Sequence, residues 1–226
     1  MKFWSSEHIF DHCWDRVTQA VWRKYPNDLN PNVKTMDVLD RHVDEQGRLH
    51  TTRLVGTEGF LPSWVCNMIG VDNLCYAYEH SVVDPVAKTM TMASRNVTLS
   101  GWADVDETVT YTQDQEINKT RLTQDAVITV FGVSFKDYCE SLIKNTMASN
   151  ASKGREAMET VITKINKEVQ DLAANIEHAT SRLNAEFEQA TTRLNSELEQ
   201  AKQGLEQATI FPQAFCECSS SSTTSS

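Results

Sequence analysis

The sequence predicts an α+β fold in which about seven antiparallel strands are followed by one very long C-terminal helix. Three observations carry this. From residue 33 to residue 133, short runs rich in β-branched and aromatic residues follow one another with turn residues between them, the pattern of neighbouring strands joined by short links. From Ser134 onward no clear breaker interrupts a helical pattern until Gly204. Within that helix ATSRLNAEFEQ (179–189) is followed directly by ATTRLNSELEQ (190–200), an internal repeat of eleven residues.

The elements follow in chain order. Residues 1–10 alternate as a strand closed by Ile9 and Phe10. Asp11 can cap a helix that places Trp14, Val17, Val21 and Trp22 on one face, and Pro26 stops it. NDLNPN (27–32) is turn chemistry. Thr35–Val43 and Leu49–Val55 flank Glu45-Gln46-Gly47 as a hairpin. Leu74–Val83, Lys88–Leu99, Glu107–Tyr111 and Leu122–Val133 complete a meander, separated by Asp84-Pro85, Gly101 and the polar stretch 112–120. In the repeat, Leu172, Ile176, Ala179, Leu183, Phe187, Ala190, Leu194, Leu198, Ala201 and Leu205 step by four and three. Eleven residues in three turns keeps such a stripe almost straight along the helix. The expected organisation is a domain over 1–172, a repeat helix over 173–208, and a disordered Ser/Thr-rich tail over 209–226 ending in CECSSSSTTSS.

Charge and composition exclude several classes. Residues 1–150 hold 14 Lys/Arg and 20 Asp/Glu, and residues 151–226 hold 7 and 11. Both parts are acidic, which argues against nucleic acid as a partner. No apolar run reaches the length of a membrane span. The N-terminal segment resembles neither a secretory signal nor a standard mitochondrial presequence. Cysteines at 13, 66, 75, 139, 216 and 218 lack CxxC spacing and nearby His clusters, so no metal or cofactor is expected. Cys13, Cys66 and Cys139 sit among apolar neighbours and are expected to be buried and inert.

EHSVVDP (79–85) brings Glu, His, Ser and Asp together, but in a strand His80 and Ser81 point to opposite faces and cannot form a nucleophile–base pair. With no nucleophile elbow, HExxH helix or phosphate-binding loop in the chain, no enzyme is predicted. The long helix offers a different signal. Phe135, Cys139, Leu142, then Thr146, Asn150, Lys153, then Ala157, Val161, Ile165 form an apolar stripe with a polar hole. An ammonium in such a face needs a partner, and a bound anion would serve, unless Lys153 snorkels to water along its own stem or the helix breaks at Gly154. Arg53 in a strand and Lys24 after the first helix would gain meaning by converging on the same place. GTEGFLPSWVCNMIG (56–70), bounded by glycines, reads either as a core helix or as a hinged lid whose Phe60 and Trp64 touch lipid.

The blocks MKFWSSEHIF, KYPN, NPNVKTMDVLDRHVDEQGRLHTTRL, TEGFLPS, EHSVVDP and SNASKGREAMETVI resemble the PRELI-domain family, and EHSVVDP with NASKGREAME resembles its slowmo-like branch. The resemblance covers roughly residues 1–170 and leaves the repeat helix outside. It implies a curved antiparallel sheet gripping the long helix, with a lipid cavity between them and a mobile lid over 57–70. It also implies non-enzymatic transfer of an acidic phospholipid, phosphatidylserine for this branch, between outer and inner mitochondrial membranes. The alternatives are phosphatidic acid transfer feeding cardiolipin synthesis, and a coiled-coil adaptor working through the repeat. The implied location is the mitochondrial intermembrane space, with transient membrane contact and a small twin-CX9C helical-hairpin protein as partner. Head-group binding falls on Lys24, Arg53, Asn150 and Lys153, and lid contacts on Glu58, Phe60, Leu61, Trp64, Val65, Met68 and Ile69. The chain departs from the family pattern at Glu58, where phosphatidate-type members tend to carry Lys; this favours a head group with its own ammonium. TEGFLP also displaces an aromatic expected in the lid. The acidic repeat helix is expected to self-associate through 173–208 or to dock onto another helix rather than to lie on a membrane, the alternative being a plain solvated extension.

Overall fold

The structure is a computed structural model that describes residues 1–59, 61–114 and 118–216, except the side chains of Ile69 and of 208–216. In chain order the elements are β1 (Lys2–Phe10), α1 (Trp14–Arg23), β2 (Val33–Val43), β3 (Leu49–Glu58), α2 (Ser63–Ile69), β4 (Leu74–Asp84), β5 (Thr89–Asn96), β6 (Ala103–Asp114), β7 (Lys119–Val130) and α3 (Lys136–Cys216). The seven strands form one curved antiparallel sheet in the order β1-β7-β6-β5-β4-β3-β2. Strands β2 to β7 are a simple meander, and β1 returns to close the far side against β7. The expected hairpin turns at Gly47, whose φ of +79° suits a residue without Cβ.

The chain divides into two compact units, Met1–Asn166 and Lys167–Ser226. In the first, the inner face of the sheet packs with α1, α2 and the start of α3. Its core is split into two apolar clusters. One joins Leu61, Val65 and Cys66 of the α2 region to Leu99, Ile128, Cys139, Ile143 and Met147. The other joins Phe10, Trp14, Val17 and Val21 to Met90, Tyr111, Leu122, Met158 and Ile162. The indole of Trp14 donates to the carbonyl of Tyr111 at 3.2 Å, fixing α1 over β6.

The second unit is helical through Cys216 and runs unbroken past Gly204. Its stripe residues Leu172, Ile176, Leu183, Phe187, Leu194, Leu198 and Leu205 are all exposed. The helix also passes residue 208, where the Ser/Thr-rich tail was expected to begin, and 217–226 lie outside the described residues.

The structure corrects the register of the α3 stripe. Its buried residues are Cys139, Ile143, Met147, Ala151, Gly154, Ala157, Met158, Ile162 and Ile165. That face is continuous and carries no ammonium, so Lys153 is exposed rather than a hole in an apolar stripe. The misreading arose because Phe135 and Leu142 open an equally apolar diagonal, yet Phe135 is 38 % exposed. A second correction concerns Cys13. It is the N-cap residue of α1 and half-buried, whereas Cys66, Cys75 and Cys139 are buried as free thiols. Asp11, the expected cap, instead forms an ion pair with Lys119.

Glu140 is the buried charge that joins the start of α3 to the sheet. Its Oε1 accepts the ammonium of Met1 at 2.6 Å and the N–H of Val130 at 3.2 Å. Burial alone would raise the carboxyl's pKa, but these two donors outweigh it and hold it below the ordinary glutamate value.

The register makes a direct prediction. Ile143→Ala removes a fully buried side chain and should cost about 2–4 kcal/mol in urea unfolding. Phe135→Ala and Lys153→Ala, on exposed positions, should stay within about 0.5 kcal/mol of the parent.

Candidate functional site

Between the two apolar clusters lies a cavity of about 260 Å³, bounded by the inner faces of β2 to β7, the end of α1 and the turns of α3 around Asn150. That volume sits just below the ~300–1,000 Å³ usual for ligand sites. Its walls are mixed. Phe10, Val21, Val55, Leu99, Met92, Val105, Val109, Leu122, Met147 and Met158 give apolar surface.

The polar part is built by strand register. Arg53 on β3 lies opposite Glu79 on β4, Glu79 opposite Ser94 on β5, and Ser94 opposite Glu107 on β6. Side chains directly opposite in neighbouring strands share one face, so four strands lay a polar row across the middle of an otherwise apolar surface. At one end the row is self-satisfied. Arg53 donates through Nε to Glu79 at 2.8 Å and pairs with it again through its terminal nitrogen. The guanidinium also stacks 5.0 Å from the ring centroid of Trp22, which Arg41 approaches as well at 5.1 Å.

At the other end Glu107 has neutral donors only. The amide of Gln124 donates to Oε1 at 2.7 Å, and the Ser94 hydroxyl reaches Oε2 at 3.5 Å. Burial pushes its pKa up, against the pull of Gln124 and of the Lys24 charge.

Lys24 enters from above the sheet as the C-cap residue of α1. The loop behind it is pinned: Asn27 donates to the Lys24 carbonyl at 2.7 Å, and the N–H of Asn30 returns to the Asn27 side chain at 2.8 Å. Its ammonium lies 4.8 Å from the Tyr25 ring centroid. It also comes within 3.8 Å of where a Cβ on Gly154 would stand, an ordinary contact distance that places it against α3. Among the described residues it has no hydrogen-bond or ion-pair partner. Burial works against the charge, but Tyr25, Tyr111 and the carboxylates of Glu79 and Glu107 outweigh it, and its pKa lies above the ordinary lysine value. It is a charged ammonium in a cavity, held by neighbouring charges and the Tyr25 ring rather than by a hydrogen bond or ion pair.

The structure thus brings Lys24, Arg53 and Asn150 together and leaves Lys153 out. The cation that this part of α3 gives to the cavity is Arg155, which also donates to the Ser6 hydroxyl at 3.3 Å. Sequence reasoning missed Glu79, Glu107 and Arg155. For Glu107 the signal was present: Val105, Glu107, Val109 and Tyr111 share one parity of β6, so a carboxyl had to stand among three apolar neighbours.

The expected lid is divided by its own helix. Leu61 and Val65 are buried in the core, which corrects their assignment to membrane contact. Trp64 and Met68 face outward at 51 % and 48 % exposure, with Trp64 6.4 Å from the ring of Tyr138 on α3. Glu58 pairs with Lys34 at 3.3 Å. Phe60 and the side chain of Ile69 lie outside the described residues. His80 and Ser81 do take opposite faces: Ser81 is fully buried and donates to the Thr51 carbonyl, while His80 meets Thr52 and His50.

Comparison with known proteins agrees with this architecture. A Thermus thermophilus protein, TTHA0849, superposes with a TM-score of 0.52 at 11 % identity, over 73 % of this chain and 99 % of that one. At that identity the likeness concerns the fold alone. In sequence the chain is 37 % identical over 183 residues to the Saccharomyces cerevisiae protein UPS2, mitochondrial, covering 76 % of this chain and 79 % of that protein. It is 36 % identical to the UPS-like protein C36.10 of Schizosaccharomyces pombe, over 75 % and 93 % of the two chains. The slowmo homolog of Dictyostelium discoideum is 34 % identical over 77 % of each. Residues 15–168 match the model of the PRELI-like family, and the chain is a member of that family.

Proposed function

We propose that the protein is a non-enzymatic carrier that takes one acidic phospholipid, phosphatidylserine, between the outer and inner mitochondrial membranes across the intermembrane space. The observation that carries this reading is Lys24, an ammonium inside a cavity of mixed walls with no hydrogen-bond or ion-pair partner among the described residues. The surrounding carboxylates and tyrosines keep it charged, and its unused N–H groups would donate charge-assisted hydrogen bonds to a phosphodiester. Asn150, free to donate or accept, and Arg155 would complete the anion site from α3. The apolar walls continue from this site toward both core clusters, where acyl chains find their solvent. Membership of the PRELI-like family and the mitochondrial yeast relative support the same reading. From the family resemblance we also assign a small twin-CX9C helical-hairpin protein as partner.

Carriage requires an entrance. We assign that role to the α2 segment, whose outer residues Trp64 and Met68 suit the interfacial zone of a bilayer while Leu61 and Val65 hold it shut against the core. The exposed, acidic repeat helix serves self-association in this reading, since its stripe of Leu, Ile and Phe is uncovered within its own unit.

Three measurements test these assignments. In transfer between liposomes, Lys24→Met should lower phosphatidylserine movement at least tenfold, whereas Lys153→Ala should change it less than twofold. Equal transfer by Lys24→Met and the parent would remove the head-group site. Trp64→Ala should slow lipid extraction severalfold with little change in stability, whereas Leu61→Ala should cost about 2–5 kcal/mol as a core deletion. Removing residues 173–226 should abolish concentration-dependent association in sedimentation and leave transfer intact; an unchanged sedimentation profile returns the repeat helix to a solvated extension.

A further inference from the structure

We infer that Glu107 is the receptor for the ligand's own ammonium group, so that the cavity selects an amine-bearing acidic phospholipid over one that carries phosphate alone. This rests on the carrier reading above and deepens it by naming the residue that reads the head group's ammonium.

The sheet row places two carboxylates in the cavity, and they are not equivalent. Glu79 is engaged by Arg53 on the same face. Glu107, two strands away across Ser94, receives hydrogen bonds from a neutral amide and a neutral hydroxyl. A phosphate-only site gains nothing from a second carboxylate, because like charges repel inside a poorly screened cavity. Apolar residues at this position of β6 would have continued the alternation of Val105 and Val109 at no electrostatic cost. A carboxyl with only neutral donors does suit a ligand that brings its own cation, whose N–H groups would bond Oε2, the oxygen reached only at 3.5 Å by Ser94.

The charge of the lining points the same way. Lys24, Arg53 and Arg155 set against Glu79 and Glu107 leave one cation in excess. Phosphoserine carries two anionic groups and one ammonium, so its net charge and its mixed signs both match. Phosphoethanolamine brings the ammonium without net charge, and phosphate monoester brings charge without the ammonium. Lys24 and Glu107 line the same cavity, so a head group with adjacent phosphate, carboxylate and ammonium would meet both.

The test compares the full-length parent protein with Glu107→Gln in transfer between vesicles containing, in separate arms, phosphatidylserine, N-acetyl-phosphatidylserine, phosphatidylethanolamine, phosphatidic acid or phosphatidylglycerol. The parent should move phosphatidylserine at least tenfold faster than its N-acetylated form, which keeps the anionic groups and loses the cation. In Glu107→Gln the phosphatidylserine-to-phosphatidic acid ratio should fall at least tenfold, chiefly through phosphatidylserine. Equal loss for both lipids would mark Glu107 as structural and overturn the inference. So would a parent that moves N-acetyl-phosphatidylserine as fast as phosphatidylserine, an arm that stands even if the variant does not fold. A parent that moves no acidic phospholipid in any arm overturns the carrier reading itself.

Discussion

A row of charge laid across an apolar interface governs the rest of this molecule. Arg53, Glu79, Ser94 and Glu107 face one another across four strands where a long helix should close onto a greasy sheet. Each buried charge there costs several kcal/mol unless it is matched. Arg53 and Glu79 offset that cost with each other and with the face of Trp22. Lys24 relies on the Tyr25 ring and the field of Glu79 and Glu107, and Glu107 on the Lys24 charge and the neutral donors Gln124 and Ser94. The interface therefore stays open at its centre, and the core separates into two apolar clusters that clamp the helix on either side of the gap.

The helix complies with this arrangement by what it omits. Where α3 crosses the gap it presents Met147, Ala151, Gly154 and Met158 to the sheet. Ala151 and Gly154 are small, and the Lys24 ammonium lies 3.8 Å from where a Cβ on Gly154 would stand, which is ordinary contact distance. The α2 segment divides its duties in a similar way. One face closes the upper cluster through Leu61 and Val65, and the other offers Trp64 and Met68 to the surroundings, so that one short helix is both a stopper and a contact surface.

Much of the fold was legible because alternation and turn chemistry act locally. The strands between residues 33 and 133 announce themselves by period, and the hairpin at Gly47 by its turn residues. Phase was harder to read than period. On α3 two neighbouring apolar diagonals compete, one through Leu142 and one through Ile143, and only packing against Cys66, Leu99 and Ile128 selects the second. That choice moves Lys153 outside and brings Arg155 to the cavity. The same limit hid Glu79, which looked like part of a polar cluster in EHSVVDP until β3 placed Arg53 opposite it.

The sequence by itself determined the order and type of the elements, the family and the eleven-residue repeat. These follow from local periodicity and from motifs that read along the chain. Only the tertiary structure decided which charges share a space. Strand register and helix rotation are set by long-range burial, and a shift of a single residue in either exchanges an interior charge for an exterior one.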